Sequence, residues 1–212
     1  MKDDNSVDLL ERELITPQLA SSLVAAFNAA YGLAQSTAND VSFLGGELKS
    51  QILPHLRNWA VEFELNRRSR LGLLPFDSSF VVNKKKNHKH IELINDQFVL
   101  TVSQVHKCNM VPREAIFRND RCLDGQIALD MFEPDVYDNS SEKIYAILTH
   151  GWQTPVPSFI LCGIPSPNMN FWAQHVNVME LAQRITVVDD SPITDDIAME
   201  YREKMKELTS EA

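Results

Sequence analysis

The sequence predicts an α+β domain in which N-terminal helices pack on a mostly antiparallel β-sheet, followed by an acidic C-terminal helix. Three observations lead there. Apolar residues recur at helical spacing up to Gly72. From Phe80 onward the chain turns to short β-rich runs bounded by turn residues. Helices and strands do not alternate, so the order is helices first and strands afterwards.

Ser6 is placed to open a short helix through Leu14. Thr16-Pro17 is a stronger start: the hydroxyl caps, and proline at the first helical position loses a donor that has no partner there. Leu19, Leu23, Phe27 and Tyr31 then recur every four residues, fading around Gln35 to Asn39. A second helix is expected from about Ser42 to Leu71, with Leu48, Ile52, Leu56, Trp59 and Phe63 as its apolar stripe. Pro54 should kink it or start the second of two shorter helices. Arg67, Arg68 and Arg70 crowd the last turn, where cations suit the helix dipole. Gly72 and Pro75 close this part.

A hairpin follows. Phe80–Val82 and His90–Ile94 form its outgoing run and Phe98–Val105 its return, around a two-residue turn at Asn95-Asp96. In that register Leu93 faces Phe98, Ile91 faces Leu100 and Lys89 faces Val102. Ile91, Leu93, Phe98, Leu100 and Val102 then share the core face, and His88, His90 and Glu92 point away with Val99, Thr101 and Ser103. Ala115–Arg118 reads as a further strand and Gln126–Phe132 as a short amphipathic helix. Lys143–His150 and Ser158–Ile164 are almost continuously apolar, as central strands are. Phe171–Leu181 fits strand and helix equally. Thr194 caps a last helix with a narrow stripe of Ile197, Tyr201, Met205 and Leu208. The expected organisation is one domain over 1–188 (helical to 75, sheet from 76) and an acidic helix or tail over 189–212.

At 212 residues the chain can bury a core without staples. Its net charge of -9 opposes a protein coated in nucleic acid but permits one basic face. Residues 55–90 carry eight lysines and arginines against three carboxylates; residues 186–212 carry three against eight. Three widely spaced cysteines suit a reducing compartment. The acidic start resembles no signal peptide, and no apolar run is long enough for a membrane span. The expected location is the cytoplasm.

No catalytic motif survives inspection. His88, His90, His106 and Cys108 suggest zinc, but the hairpin register puts the two pairs on opposite faces. Glu47-Leu48-Lys49, the one Glu-x-Lys tripeptide, lies in a helix rather than on a nuclease strand. Gly45-Gly46-Glu47-Leu48-Lys49-Ser50 lacks the glycine before lysine that a phosphate loop needs. No Gly-x-Ser-x-Gly elbow accompanies the histidines. No catalytic residue, metal or cofactor is therefore assigned. The basic cluster of Arg67, Arg68, Arg70, Lys84, Lys85, Lys86, His88, Lys89 and His90 is the candidate for nucleic acid or another anion. Its bland roles are helix capping and protection of a sheet edge. His150 and Trp152, at a strand end, and Ile197, Tyr201 and Met205 are the candidates for contact with a partner protein. His150 equally suits a buried loop anchor, or the site of a small hydrolase.

Ala115-Ile116-Phe117-Arg118, Gln126, Met131-Phe132, Ile147 to Trp152, Gly163-Ile164-Pro165 and Trp172 form a pattern over residues 112–181. It resembles uncharacterised bacterial and prophage proteins encoded beside toxin–antitoxin and defence genes. The resemblance implies an accessory or regulatory protein of a mobile element; with no catalytic motif, segregated charge and a narrow C-terminal stripe, the expectation is a cytoplasmic interaction protein of toxin–antitoxin, prophage or phage-defence type. Such a protein acts by binding another protein, for example one encoded by a neighbouring gene. The alternative is a nucleic-acid-binding protein, or a degenerate metal-dependent nuclease, using the basic hairpin 84–90.

Overall fold

Thr16 and Pro17 start the longest helix. In the computed structural model, which describes residues 9–41, 49–83, 86, 88–122, 143–151 and 153–184, the Thr16 hydroxyl accepts from the Leu19 amide at 3.2 Å. Helix α1 (Pro17–Asp40) follows a short helical turn at Leu10–Leu14. It buries Leu19, Leu23, Phe27 and Tyr31 as expected, with Ala20, Ala26 and Ala30 between them and Ala34 beyond. Those small side chains let α2 (Lys49–Arg70) pack closely against it.

Helix α2 runs through Pro54 and buries a different face from the expected one. Arg57, Ala60, Val61, Glu62, Glu64 and Leu65 are buried, whereas Trp59 and Phe63 are 58% and 52% exposed. Ala60 and Val61 meet the alanine-rich face of α1 better than the bulky aromatics would. The buried charges have partners: Arg57 sits over the Tyr31 ring at 5.5 Å, and Glu64 accepts from Arg67 and Arg68. The expected helix start at 42–48, with most of the glycine-lysine loop, lies outside the described residues.

Six strands form one sheet in chain order: β1 (Asp77–Val82), β2 (Lys89–Ile94), β3 (Phe98–Gln104), β4 (Ile144–His150), β5 (Ile160–Pro165) and β6 (Trp172–Asn177). All neighbours are antiparallel except β3 and β4, which run parallel from Phe98 beside Ile144 to Gln104 beside His150. A parallel pair needs a crossover, and residues 105–143 supply it. Within it, residues 116–122 are helical (α3), where Ala115–Arg118 was expected to be a strand. The Arg118 and Asn119 amides both donate to the Ala115 carbonyl, which commits the segment to a helical turn.

The outgoing run of the hairpin is two antiparallel strands, β1 and β2; of the basic cluster, Lys86 and His88 lie between them, Lys89 and His90 open β2, and Arg67, Arg68 and Arg70 belong to α2. The β2–β3 turn is also displaced by one residue, to Asp96-Gln97. Asn95 sets it, because its side-chain oxygen accepts from the Gln97 and Phe98 amides at 3.0 and 2.7 Å. Leu93 therefore pairs with Leu100 rather than Phe98. Each partner moves by two residues, so side-chain parity survives, and Ile91, Leu93, Phe98, Leu100 and Val102 share the helix-facing core.

Strands β4 and β5 are buried on both faces, as their continuous apolar runs require. A second, smaller core of Cys122, Tyr145, Ile147 and Met169 lies on the face away from α1. Trp172 covers Gly163 there, and a Cβ at position 163 would lie 2.5 Å from the indole. Gly163→Ala should destabilise the protein by about 1–3 kcal/mol through overpacking. Urea unfolding measures this; an unchanged midpoint would mean the indole has room to move.

Asn177 decides between strand and helix in the ambiguous stretch. Its side chain accepts from the Met179 and Glu180 amides, ending β6 and starting α4 (Val178–Gln183). The acidic C-terminal helix lies outside the described residues. Among the described residues no helix is long and apolar enough to cross a membrane.

Candidate functional site

Two features are built where β1, β2 and α2 meet. The first is a cleft made by a defect in the sheet. Strand β2 pairs with β1 along all six of its residues, but with β3 only from Glu92 to Ile94. Lys89, His90 and Ile91 thus stay with β1 while β3 continues without them. Asn58 and Glu62 of α2 and residues 115–118 line the resulting gap, which encloses about 440 Å³. Asn83, His88, His90, Val102 and Ser103 complete the lining.

His90 is 4% exposed and stacks on Phe117, with ring centroids 4.0 Å apart. Its Nε2 lies 3.5 Å from Glu92 Oε1, the outer limit of a hydrogen bond. Its Nδ1 has no hydrogen-bond partner among the described residues. Glu92 is also held by Arg121, at 2.9 Å to Oε2. Hydrogen bonding from His90, then the charge of Arg121, keeps the Glu92 carboxyl below its usual range.

Glu62 is the opposite case. Burial pushes its carboxyl up to about 7, against the hydrogen bond from Asn58 Nδ2 and the proximity of His90. Across the cleft, Arg118 donates to the Arg113 carbonyl at 2.8 Å and to Ser103 Oγ at 3.1 Å. Burial lowers its pKa, but a guanidinium stays cationic in proteins. Its Nε has no partner among the described residues. Behind it the Thr101 and Tyr145 hydroxyls lie 2.7 Å apart. Nearby Cys122 is no nucleophile: burial pushes its thiol up to about 11.

The second feature is an exposed apolar strip. Ser78 Oγ donates to Asn66 Oδ1 at 2.9 Å, and Asn58 and Asn83 line the same cleft. Those two links set one flank of α2 along β1. Trp59, Phe63 and Asn66 share a helix face, and Ser78, Phe80 and Val82 share a strand face. Phe80 and Val82 of β1 are 45% and 44% exposed, and Trp59 and Phe63 of α2, which packs against β1, are exposed as well. As the end strand, β1 pairs with β2 alone among the described residues.

The residues singled out in sequence scatter around these features. Arg67 and Arg68 are joined to Glu64, and Arg70 is exposed at the end of α2. Lys86, His88 and Lys89 are exposed in or beside the β1–β2 loop, which the contacts from Asn83 to His88 and Lys86 close. His90 alone of the described members is buried. Lys84, Lys85, Trp152, Ile197, Tyr201 and Met205 lie outside the described residues. Among the described residues no group of His, Cys, Asp or Glu is arranged to hold a metal ion.

His150 is fully buried against α1. The Tyr31 hydroxyl donates to the Gly151 carbonyl, so the 2.7 Å contact between Tyr31 Oη and His150 Nδ1 puts the proton on Nδ1. Burial depresses its pKa to about 3. The neutral imidazole ties the end of β4 to α1.

Sequence reasoning gave no site role to Asn58, Glu62, Phe117, Arg118 or Arg121, although Phe117 and Arg118 belong to the pattern quoted over residues 112–181. Asn58 and Glu62 stand four residues apart, a pairing readable in the sequence; the others gave no local signal. Comparison with protein-family models, with curated proteins and with solved structures gives no match, so the geometry alone bears on function.

Proposed function

We propose that the protein acts by binding another protein, as an accessory or regulatory component of the toxin–antitoxin, prophage or phage-defence kind. The partner adds an extended segment to the free edge of β1. One observation carries this: four large apolar side chains, Trp59, Phe63, Phe80 and Val82, stand exposed beside a sheet edge. An exposed apolar edge strand is a template for pairing, and proteins that do not use one blunt it. Main-chain hydrogen bonds to β1 supply affinity, and the aromatics of α2 select the side chains.

Nucleic acid is the second reading, favoured by Lys86, His88 and Lys89, which stand exposed in or beside the β1–β2 loop where phosphates could reach them. Protein is preferred because Glu64 already engages Arg67 and Arg68.

The double variant Trp59→Lys, Phe80→Lys tests it. Both side chains are exposed, so the variant should melt near the wild type. Its affinity for proteins that co-purify with the wild type from the native host should fall by about 30-fold or more, as at an interface hot spot. Equal recovery by both proteins would refute the proposal. Salt-sensitive oligonucleotide binding lost in the variant would assign the strip to nucleic acid instead.

A further inference from the structure

We propose that the β2–β3 cleft binds a small organic anion through a phosphate or carboxylate group. The site is independent of the docking strip. Its volume of about 440 Å³ lies within the range of small-molecule pockets.

The lining supplies the recognition chemistry. Arg118 Nε is a donor and nothing else, it is buried, and no described residue accepts from it. Ser103 Oγ accepts from Arg118, which leaves its own proton to donate. His90 Nδ1 also has no partner among the described residues; with the Nε2 proton given to Glu92 it offers a lone pair, which suits a hydroxyl on the ligand rather than its anionic oxygens. Unsatisfied buried polar atoms are rare in folded proteins because each costs free energy, so two such atoms on one cleft, Arg118 Nε and His90 Nδ1, point to a partner beyond the described residues. The charge balance favours an anion. Arg121 neutralises Glu92, and Glu62 is largely protonated below pH 7. The fixed charge of the wall is then that of Arg118, and exposed His88 lines the rim.

Titration at pH 6 with phenyl phosphate, benzoate and benzyl alcohol tests this, with histidine ring resonances as the readout. These probes share the aryl group and differ in the headgroup. At least one anion should bind saturably and shift His90 more than His55 or His106, with no response to benzyl alcohol. Tighter binding of phenyl phosphate or of benzoate identifies the preferred headgroup. Arg118→Gln should weaken binding at least tenfold. Because Arg118 is packed inside, Ala115→Leu on the cleft wall provides a second variant, which should block binding by filling space. No saturable binding of either anion, shifts confined to His88, or unchanged affinity in both variants would overturn the proposal.

Discussion

Acidification from pH 6.5 to pH 4 should cost the folded chain about 3 kcal/mol through His150 alone. The unfolded imidazole takes up a proton below 6.5, while the buried one resists until about 3. Between those values the unfolded state binds more protons, so stability falls as pH falls. The cause is burial: His150 has no exposed surface, its Nδ1 proton faces Tyr31 Oη and the Gly151 carbonyl, and Nε2 has no hydrogen-bond partner among the described residues. A charge there would be shut away from solvent, with no ion pair to a carboxylate among the described residues. His150→Asn keeps a donor near Nδ1 and cannot titrate. Its absolute stability should drop, because volume is lost beside Phe27 and Tyr31, but its acid slope should be shallower than that of the wild type by about 3 kcal/mol over this range. Urea unfolding at several pH values measures both slopes. Parallel curves would mean that His150 is solvated.

Glu62 should act in the other direction. Its carboxyl titrates at about 7 when folded and near 4.5 when unfolded. Between these values the folded state binds more protons, so the contribution is fully present below pH 4.5 and is lost as pH rises through 7. The loss at pH 8 should be about 3 kcal/mol. Glu62→Gln preserves the hydrogen bond from Asn58 and removes the ionisation. The variant should therefore gain about 3 kcal/mol on the wild type between pH 4 and pH 8. Wild-type protein alone hides this, because between pH 4 and pH 7 the Glu62 loss grows as the His150 loss shrinks. A constant difference between wild type and Glu62→Gln across that range would place Glu62 in water.

The contrast between Glu62 and its neighbours shows what the sequence makes legible. Thr16-Pro17 and the four-residue spacing to Tyr31 are local signals, and α1 follows them. Trp59 and Phe63 have the same spacing on α2 and face outward, because tertiary packing prefers Ala60 and Val61 against α1. Periodicity identifies a stripe but not which stripe is covered. In the hairpin, parity was readable although register was not: the Asn95 side chain moved the turn without changing which residues face the core. Ala115–Arg118 is too short for its apolar pattern to separate strand from helix. The cleft itself has no local code. It opens where β2 parts from β3 before Glu92, beside His90, whose ring is fixed by Phe117 from a distant part of the chain.

Amide hydrogen exchange of the protein with and without the partner recovered from its native host tests the β1 docking edge most directly. Partner binding should slow exchange in Asp77–Val82, because the free side of β1 gains main-chain hydrogen bonds, with little change in β4 and β5. Unchanged exchange in β1 together with new protection elsewhere would contradict docking at that edge.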